Sequence, residues 1–338
     1  MVVLQVSKMK NPYITRKPIK DSDGFFGRGE ILKEIFEDIG WKKMQSRCII
    51  GERRIGKTSL LYQIMNNEMQ EKYFGKIEST ILVRTDITLF PNAYPADFFE
   101  EWAKDISQVL KETLPEEPGY LSFRKLVENV TDEEYKIVIL LDEFEATAYN
   151  DNLGKDFFEF LRALTQNYDI SFILFGRVPL QYLMRDEKFS STFSSPFFNI
   201  INISYLGFLE EKEATKLVEE PAQEAGIDIT EYTDFILENT YHHPFLLQLL
   251  SSIVFDFKQS SNTNHEQILK EFKIQTEDFF TYLWQHSNLD EQEALKKLAL
   301  QDKDISQIIL NKLDRRSLLT KDKDKIFCPL FEEFIKKI

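Results

Sequence analysis

Cysteine, histidine and long apolar runs are scarce or missing in this 338-residue chain, and each shortage excludes something. The two cysteines, Cys48 and Cys328, lie far apart, each in an apparent strand, and read as buried free thiols. Free thiols suit a reducing compartment, so a cytoplasmic location is expected. Four histidines and two cysteines in no ligand spacing argue against a zinc site. No stretch approaches the ~20 apolar residues needed to span a bilayer. Residues Met1–Val6 hold neither a basic segment nor an apolar stretch suited to a secretory signal, so no membrane partner is expected. Positive charge is also short. Lys and Arg number 42 against 56 Asp and Glu, a net charge of −14 that disfavours indiscriminate binding to nucleic acid or anionic membrane. The deficit is uneven: residues 206–288 carry 15 acidic and 5 basic residues, whereas 289–338 carry 10 and 11. The tail is the part least repulsive to DNA.

What is present is ample core material, 43% hydrophobic residues including 29 Phe, in a chain long enough for two or three domains. The most informative segment is Gly51-Glu52-Arg53-Arg54-Ile55-Gly56-Lys57-Thr58, which fits G-x-x-x-x-G-K-[ST]. The apolar-leaning Arg47–Ile50 precedes it and Ser59-Leu60-Leu61 follows, as a strand–loop–helix requires. Glycines let the backbone curl so that successive N–H groups face a polyphosphate, and the helix beginning near Lys57 adds its positive dipole end. Lys57 is expected to reach the β- and γ-phosphates and the Thr58 hydroxyl to bind Mg²⁺. Gly51, Arg54, Ile55, Gly56 and Ser59 complete the expected phosphate cradle, the Arg53 and Arg54 side chains pointing away while the backbone binds.

Ile137-Val138-Ile139-Leu140-Leu141-Asp142-Glu143 is an unbroken apolar run ending in two carboxylates. Such a run reads as a strand buried on both faces of a parallel sheet. Ligands in open α/β sheets bind beyond the carboxyl ends of the strands. Asp142 is therefore expected to hold Mg²⁺, and Glu143 to orient and polarise the attacking water.

Residues 1–24 read as an extended arm. Strands are expected at Arg47–Ile50, Thr80–Ile87, Lys136–Leu141, Ile170–Phe175 and Phe198–Ser204. Helices are expected at Glu30–Ile39, Thr58–Met69, Ala96–Leu110, Phe123–Asn129 and Lys155–Asn167. This alternation through residues 25–205 predicts an α/β unit, a P-loop NTPase core with a five-stranded parallel sheet. Residues 206–288 show helical spacing at Glu210–Ala225, Tyr232–Asn239, Phe245–Phe257 and Glu266–Phe280, an all-helical lid. In residues 289–338, helices Glu291–Leu300 and Ile305–Leu313, a hairpin of Ser317–Thr320 with Lys325–Cys328, and a closing helix Leu330–Ile338 predict a winged helix.

Taken together, these segments resemble the AAA+/STAND class of P-loop ATPases, and particularly the prokaryotic stand-alone archaeal-type ATPases. The resemblance covers nearly the whole chain. It rests on Asn11-Pro12-Tyr13, Phe26-Gly27-Arg28, Gly51–Leu61, Leu140–Glu143, Phe208–Glu211 with Pro221, His243–Gln248 and Pro329-Leu330-Phe331. It implies that Phe26, Gly27 and Arg28 lie near adenine and that Pro244 contacts the nucleotide from the lid. Phe25 is expected to be core. Two departures stand out. Relatives often place glycines where this chain has Tyr241-His242, and a small polar sensor where the strand Ser171–Phe175 runs into Gly176-Arg177. Arg177 is a candidate catalytic cation for the γ-phosphate, here or on a neighbouring subunit, with a surface salt bridge as the equal alternative.

The expected activity is a slow, Mg²⁺-dependent ATPase acting as a regulatory switch, with ATP or ADP bound and a protein partner or self-association as output. The alternative is a DNA-acting AAA+ ATPase, of replication-initiator or transposition-regulator type. It would use Lys312, Arg315 and Arg316 on phosphates and Gln307 and Asn311 on bases. The weak basic footprint of the tail disfavours it.

Overall fold

The computed structural model describes residues 9–40, 44–74, 79–110, 117–178, 196–260 and 264–338. Five strands, β1 (Arg47–Ile50), β2 (Thr80–Asp86), β3 (Lys136–Asp142), β4 (Ile170–Gly176) and β5 (Asn202–Tyr205), form one sheet in the order β2-β3-β4-β1-β5. Every neighbouring pair is parallel. Successive side chains in a strand face opposite sides. In β3, Ile137, Ile139 and Leu141 join one apolar cluster with Trp102, Phe99 and Phe157, while Val138 and Leu140 join another with Phe36, Leu60 and Leu61. Both faces are covered, which is why β3 and β4 are nearly continuous apolar runs.

Helices α1 (Gly29–Gly40), α2 (Lys57–Met65), α3 (Asn67–Phe74), α4 (Pro95–Leu110), α5 (Tyr120–Asp132) and α6 (Lys155–Asn167) surround the sheet. The single helix expected over Thr58–Met69 is two. Asn66 is extended, and its side chain accepts from the N–H groups of Glu68 and Met69, starting a new helix. The last strand is also shorter than expected: Pro196–Ile200 is a 3-10 turn, and only Asn202–Tyr205 pairs with β1.

The remainder is helical: α7 (Glu211–Glu224), α8 (Thr233–Thr240), α9 (Pro244–Gln259), α10 (His265–Gln285), α11 (Leu289–Ala299), α12 (Gln307–Arg315) and α13 (Pro329–Ile335). Leu246, Leu247, Leu250 and Val254 of α9 are fully buried, each worth about 1.5–3 kcal/mol of transfer free energy. One apolar cluster contains these residues together with Leu295, Leu313 and Phe331, so the tail helices share a core with the helical unit. The expected hairpin is a single antiparallel bridge, Leu319–Ile326. Cys328 is the N-cap of α13 and not a strand residue; both cysteines are free and buried, with their thiol pKa values pushed up by burial.

The arm is docked from residue 9 onward. Asn11 donates to the Ser252 carbonyl and hydroxyl (2.9 and 3.0 Å), and the Tyr13 hydroxyl donates to the Val218 carbonyl. Further along, the Ile14 N–H meets Gln248 and the Ile19 N–H meets the Ser59 hydroxyl, both at 3.0 Å. The arm thus ties α9 to α2. No described helix is long and apolar enough to cross a membrane.

Candidate functional site

The loop Gly51–Lys57 joins β1 to α2 at the carboxyl edge of the sheet. Its two glycines are required for different reasons. A Cβ on Gly51 would lie 2.7 Å from Ile55 Cγ2 and 3.0 Å from the Leu206 carbonyl oxygen, so bulk is excluded. Gly56 has open space around it but φ of 105°, a conformation that side chains disfavour.

Lys57 is 6% exposed and its Nζ donates back to the loop carbonyls of Gly51 (2.9 Å) and Glu52 (3.3 Å). Burial lowers its pKa, opposed by Glu143, Glu145, Glu52 and Asp142. The Thr58 hydroxyl donates to Asp142 Oδ2 at 3.0 Å, joining the ends of two strands that β4 separates. Burial raises the Asp142 pKa, while the Thr58 hydroxyl and Lys57 pull it down. Glu143 follows in a left-handed conformation (φ 52°), with its pKa raised by burial and then by Glu145.

A cavity of about 380 Å³ opens here. From the loop and α2, Arg54, Ile55, Gly56, Lys57, Thr58 and Ser59 line it. Phe26, Arg28, Glu143 and Pro244 line it from other elements, as do arm residues such as Arg16. Phe25, expected as core, packs against an apolar cluster and also reaches the cavity wall. Gly27, Gly51, Asp142 and Arg177 are not among the lining residues. Gly27 instead lies against Leu209 and Glu213 of the helical unit. Arg28, on the cavity wall, also donates to the carbonyls of Gly207 (2.6 Å), Phe208 and Ile55 (both 3.2 Å), and burial lowers its pKa to about 10.

Both loop arginines have aromatic partners. Arg54 sits over the Phe245 ring of α9 at 4.1 Å, on the cavity wall, and Arg53 over the Tyr282 ring of α10 at 4.5 Å. Such stacking is worth about 0.5–2 kcal/mol. The Tyr241-His242 departure keeps a glycine-like backbone, with φ of 46° and 59°, which puts Pro244 at the start of α9 beside the cavity. Beside it, His243 is buried among Phe208, Phe279 and Phe327, and burial pushes its pKa down to about 3.

Arg177 has found its salt bridge. Its Nε donates to Glu145 at 2.7 Å and lies 3.7 Å from Glu143, and it also meets the Tyr282 hydroxyl. Sequence reasoning missed Glu145, which is 6% exposed. It also missed Glu52, whose Oε2 accepts two bonds from Arg316, at 2.9 and 2.7 Å. Arg316 further holds Glu291 (2.8 Å) and Ser287 (3.0 Å). Glu52 occupies a variable position of the loop motif, so only its acidity inside a phosphate-binding loop could have flagged it. Of the remaining DNA-reading candidates, Gln307 is bonded to Asn311 and Arg315 lies over the Tyr205 ring.

The donor set fits the groups expected. A hydroxyl and a carboxylate 3.0 Å apart are hard oxygen ligands of the kind Mg²⁺ takes, one or two from protein and the rest from phosphate and water. The cavity, its loop N–H groups and the buried lysine fit a polyphosphate.

A loop of this kind on the strand between β4 and β5, an acidic strand on the far side of β4 and a helical cap define a P-loop NTPase of the AAA+/STAND class. The family model for Novel STAND NTPase 2 matches residues 42–301, most of the chain, and the chain belongs to that family. Among solved structures, a Walker-type ATPase of Pyrococcus abyssi is similar over 95% of this chain and 98% of its own, at 15% identity and a TM-score of 0.65. The ORC2 protein of Aeropyrum pernix, in ADPNP and ADP complexes, matches over 94% and 97%, at 13% identity and a TM-score of 0.57. At these identities the likeness concerns the fold. No curated protein matches the chain.

Proposed function

We propose that this chain is an Mg²⁺-dependent ATPase that works as a regulatory switch, its output a changed protein contact or self-association. In this reading Lys57 swings from the loop carbonyls to the β- and γ-phosphates, and Thr58 and Asp142 hold Mg²⁺. The metal supplies charge neutralisation on the phosphates. Glu143 orients the attacking water, and Pro244 and Phe26 flank the nucleotide. Arg177, released from Glu145, is the candidate cation for the transferred group.

One observation carries the switch: the phosphate loop is gripped by elements outside the sheet at three consecutive residues. Glu52 is held by Arg316, Arg53 by Tyr282 and Arg54 by Phe245. Anything that reshapes the loop is felt in α9, α10 and the tail. A nucleotide shifts such an equilibrium only by its difference in affinity for the two states. The DNA-acting alternative is less well supported, because Arg316, one of its three phosphate contacts, is bonded to Glu52 and Glu291.

The test is calorimetric titration of ATP with Mg²⁺. Lys57→Ala removes a charge-assisted contact worth about 1.5–3 kcal/mol, so affinity falls at least about tenfold. Unchanged affinity sinks the assignment. Sedimentation with ATP and with ADP then reads the self-association.

A further inference from the structure

A second cavity, of about 340 Å³, lies where the carboxyl ends of β1, β4 and β5 meet α10, α11 and α12. Gly51 and Glu52 line it, whereas Arg53 and Arg54 line the nucleotide cavity, so the phosphate loop separates the two. Glu143 faces the nucleotide cavity and its neighbours Arg177 and Glu145 face the second, so that ion-pair network also stands between them. The volume lies within the roughly 300–1,000 Å³ typical of small-molecule sites.

Charge decides what this cavity would accept. Three carboxylates line it and two cations hold them: Arg177 pairs with Glu145, and the single Arg316 is shared by Glu52 and Glu291. Arg315 also lines it, is exposed, and stands in no ion pair among the described residues; its contact is the Tyr205 ring at 5.4 Å. Lys312, one helical turn earlier in α12, lines the same wall. The four lining cations, Arg177, Lys312, Arg315 and Arg316, outnumber the three carboxylates by one, in a chain of net charge −14. The cavity also has flat walls, since the rings of Tyr205 and Tyr149 line it and are 38% and 67% exposed.

We propose that this second cavity is an effector site for a small phosphate monoester carried on a flat ring. The phosphate lies against Arg315 and Lys312, and the ring against Tyr205. Arg316 gives the site its consequence. A dianion in this cavity competes with Glu52 for the Arg316 guanidinium, so its binding loosens the tail from the phosphate loop. By linkage, the effector and the nucleotide change each other's affinity by the same factor. The coupling rests on the nucleotide reading above; the binding site itself does not.

The experiment uses phenyl phosphate as probe. It is titrated calorimetrically into the Lys57→Ala protein, where phosphate capture by the loop is crippled, and into the same protein with Lys312→Gln and Arg315→Gln added. Circular dichroism confirms that both are folded. The expected result is saturable one-to-one binding, weakened at least tenfold by the added pair, with inorganic phosphate alone binding more weakly than the ring-bearing probe. Absent binding, or binding indifferent to Lys312 and Arg315, overturns the site. In the native protein, ATP affinity is expected to shift when the probe is present. An ATP affinity that ignores bound probe overturns the coupling. A native protein that binds the probe but not ATP sinks the nucleotide reading while upholding the site.

Discussion

Replacing Arg316 by alanine removes four bonds at once: two to Glu52, one to Glu291 and one to the Ser287 hydroxyl. Both glutamate side chains are only 8% exposed, so the deletion leaves two buried carboxylates without their cation. Breaking a buried pair by removing one partner costs roughly 3–5 kcal/mol. The guanidinium is 19% exposed, and solvent can reach the vacated space, so about 3 kcal/mol is the appropriate expectation. That corresponds to about a hundredfold shift in how firmly the tail docks on the loop. The assay is a double-mutant cycle with Glu52→Gln, read by urea unfolding and by protease sensitivity of residues 289–338. Residues in direct contact couple by about 0.5–3 kcal/mol, and this pair belongs near the upper end. If the single variants each cost under about 0.5 kcal/mol and simply add, the grip on the loop is cosmetic and the reasoning fails.

Other outcomes follow from the same geometry. Glu143→Gln keeps the shape and loses the base, so ATP still binds while turnover falls at least about tenfold; parental turnover assigns the water to another residue. Arg177→Ala dissolves the clamp on Glu145 and is expected to lower hydrolysis more than nucleotide affinity. Parental turnover at several protein concentrations leaves Arg177 a structural ion pair. His243, held neutral by burial with a pKa of about 3 against an ordinary 6.5, binds fewer protons folded than unfolded. Its stabilisation is therefore intact above about pH 6.5 and is lost as pH falls toward 3, at up to about 1.4 kcal/mol per unit. His243→Phe should flatten that slope in urea unfolding from pH 7 to 4, and an unaltered slope contradicts the burial argument.

The sheet was readable because its signals are local. Val138 and Leu140 fill one face and Ile139 and Leu141 the other, so the run announces a strand covered on both sides. The loop motif is equally local and marks Lys57 and Thr58, while the carboxylates ending the apolar run mark Asp142; the Thr58–Asp142 bond joins the two segments. Where local pattern misleads, a polar contact decides. Asn66 splits an amphipathic run by capping the next helix, and Cys328, whose thiol meets the Asn239 carbonyl, stands at the N-cap position of α13 where its apolar neighbours resemble a strand. Arg28 lines the cavity as its motif suggests, but its bonds to three carbonyls, two of them 179 and 180 residues away, were not legible. The pairs Glu52–Arg316 and Glu145–Arg177 span 264 and 32 residues, and no periodicity or spacing brings such partners together. Tyr241 and His242 were visible as departures from glycine, but their left-handed backbone was not.

Hydrogen exchange of residues 307–335, compared without nucleotide, with ADP and with ATP and Mg²⁺, tests the central claim most directly. The account predicts that protection in α12 and α13 differs between the ATP and ADP states, and that Glu52→Gln abolishes the difference. Contradiction would be ATP protecting the loop at residues 51–58 while residues 307–335 exchange identically in all three states.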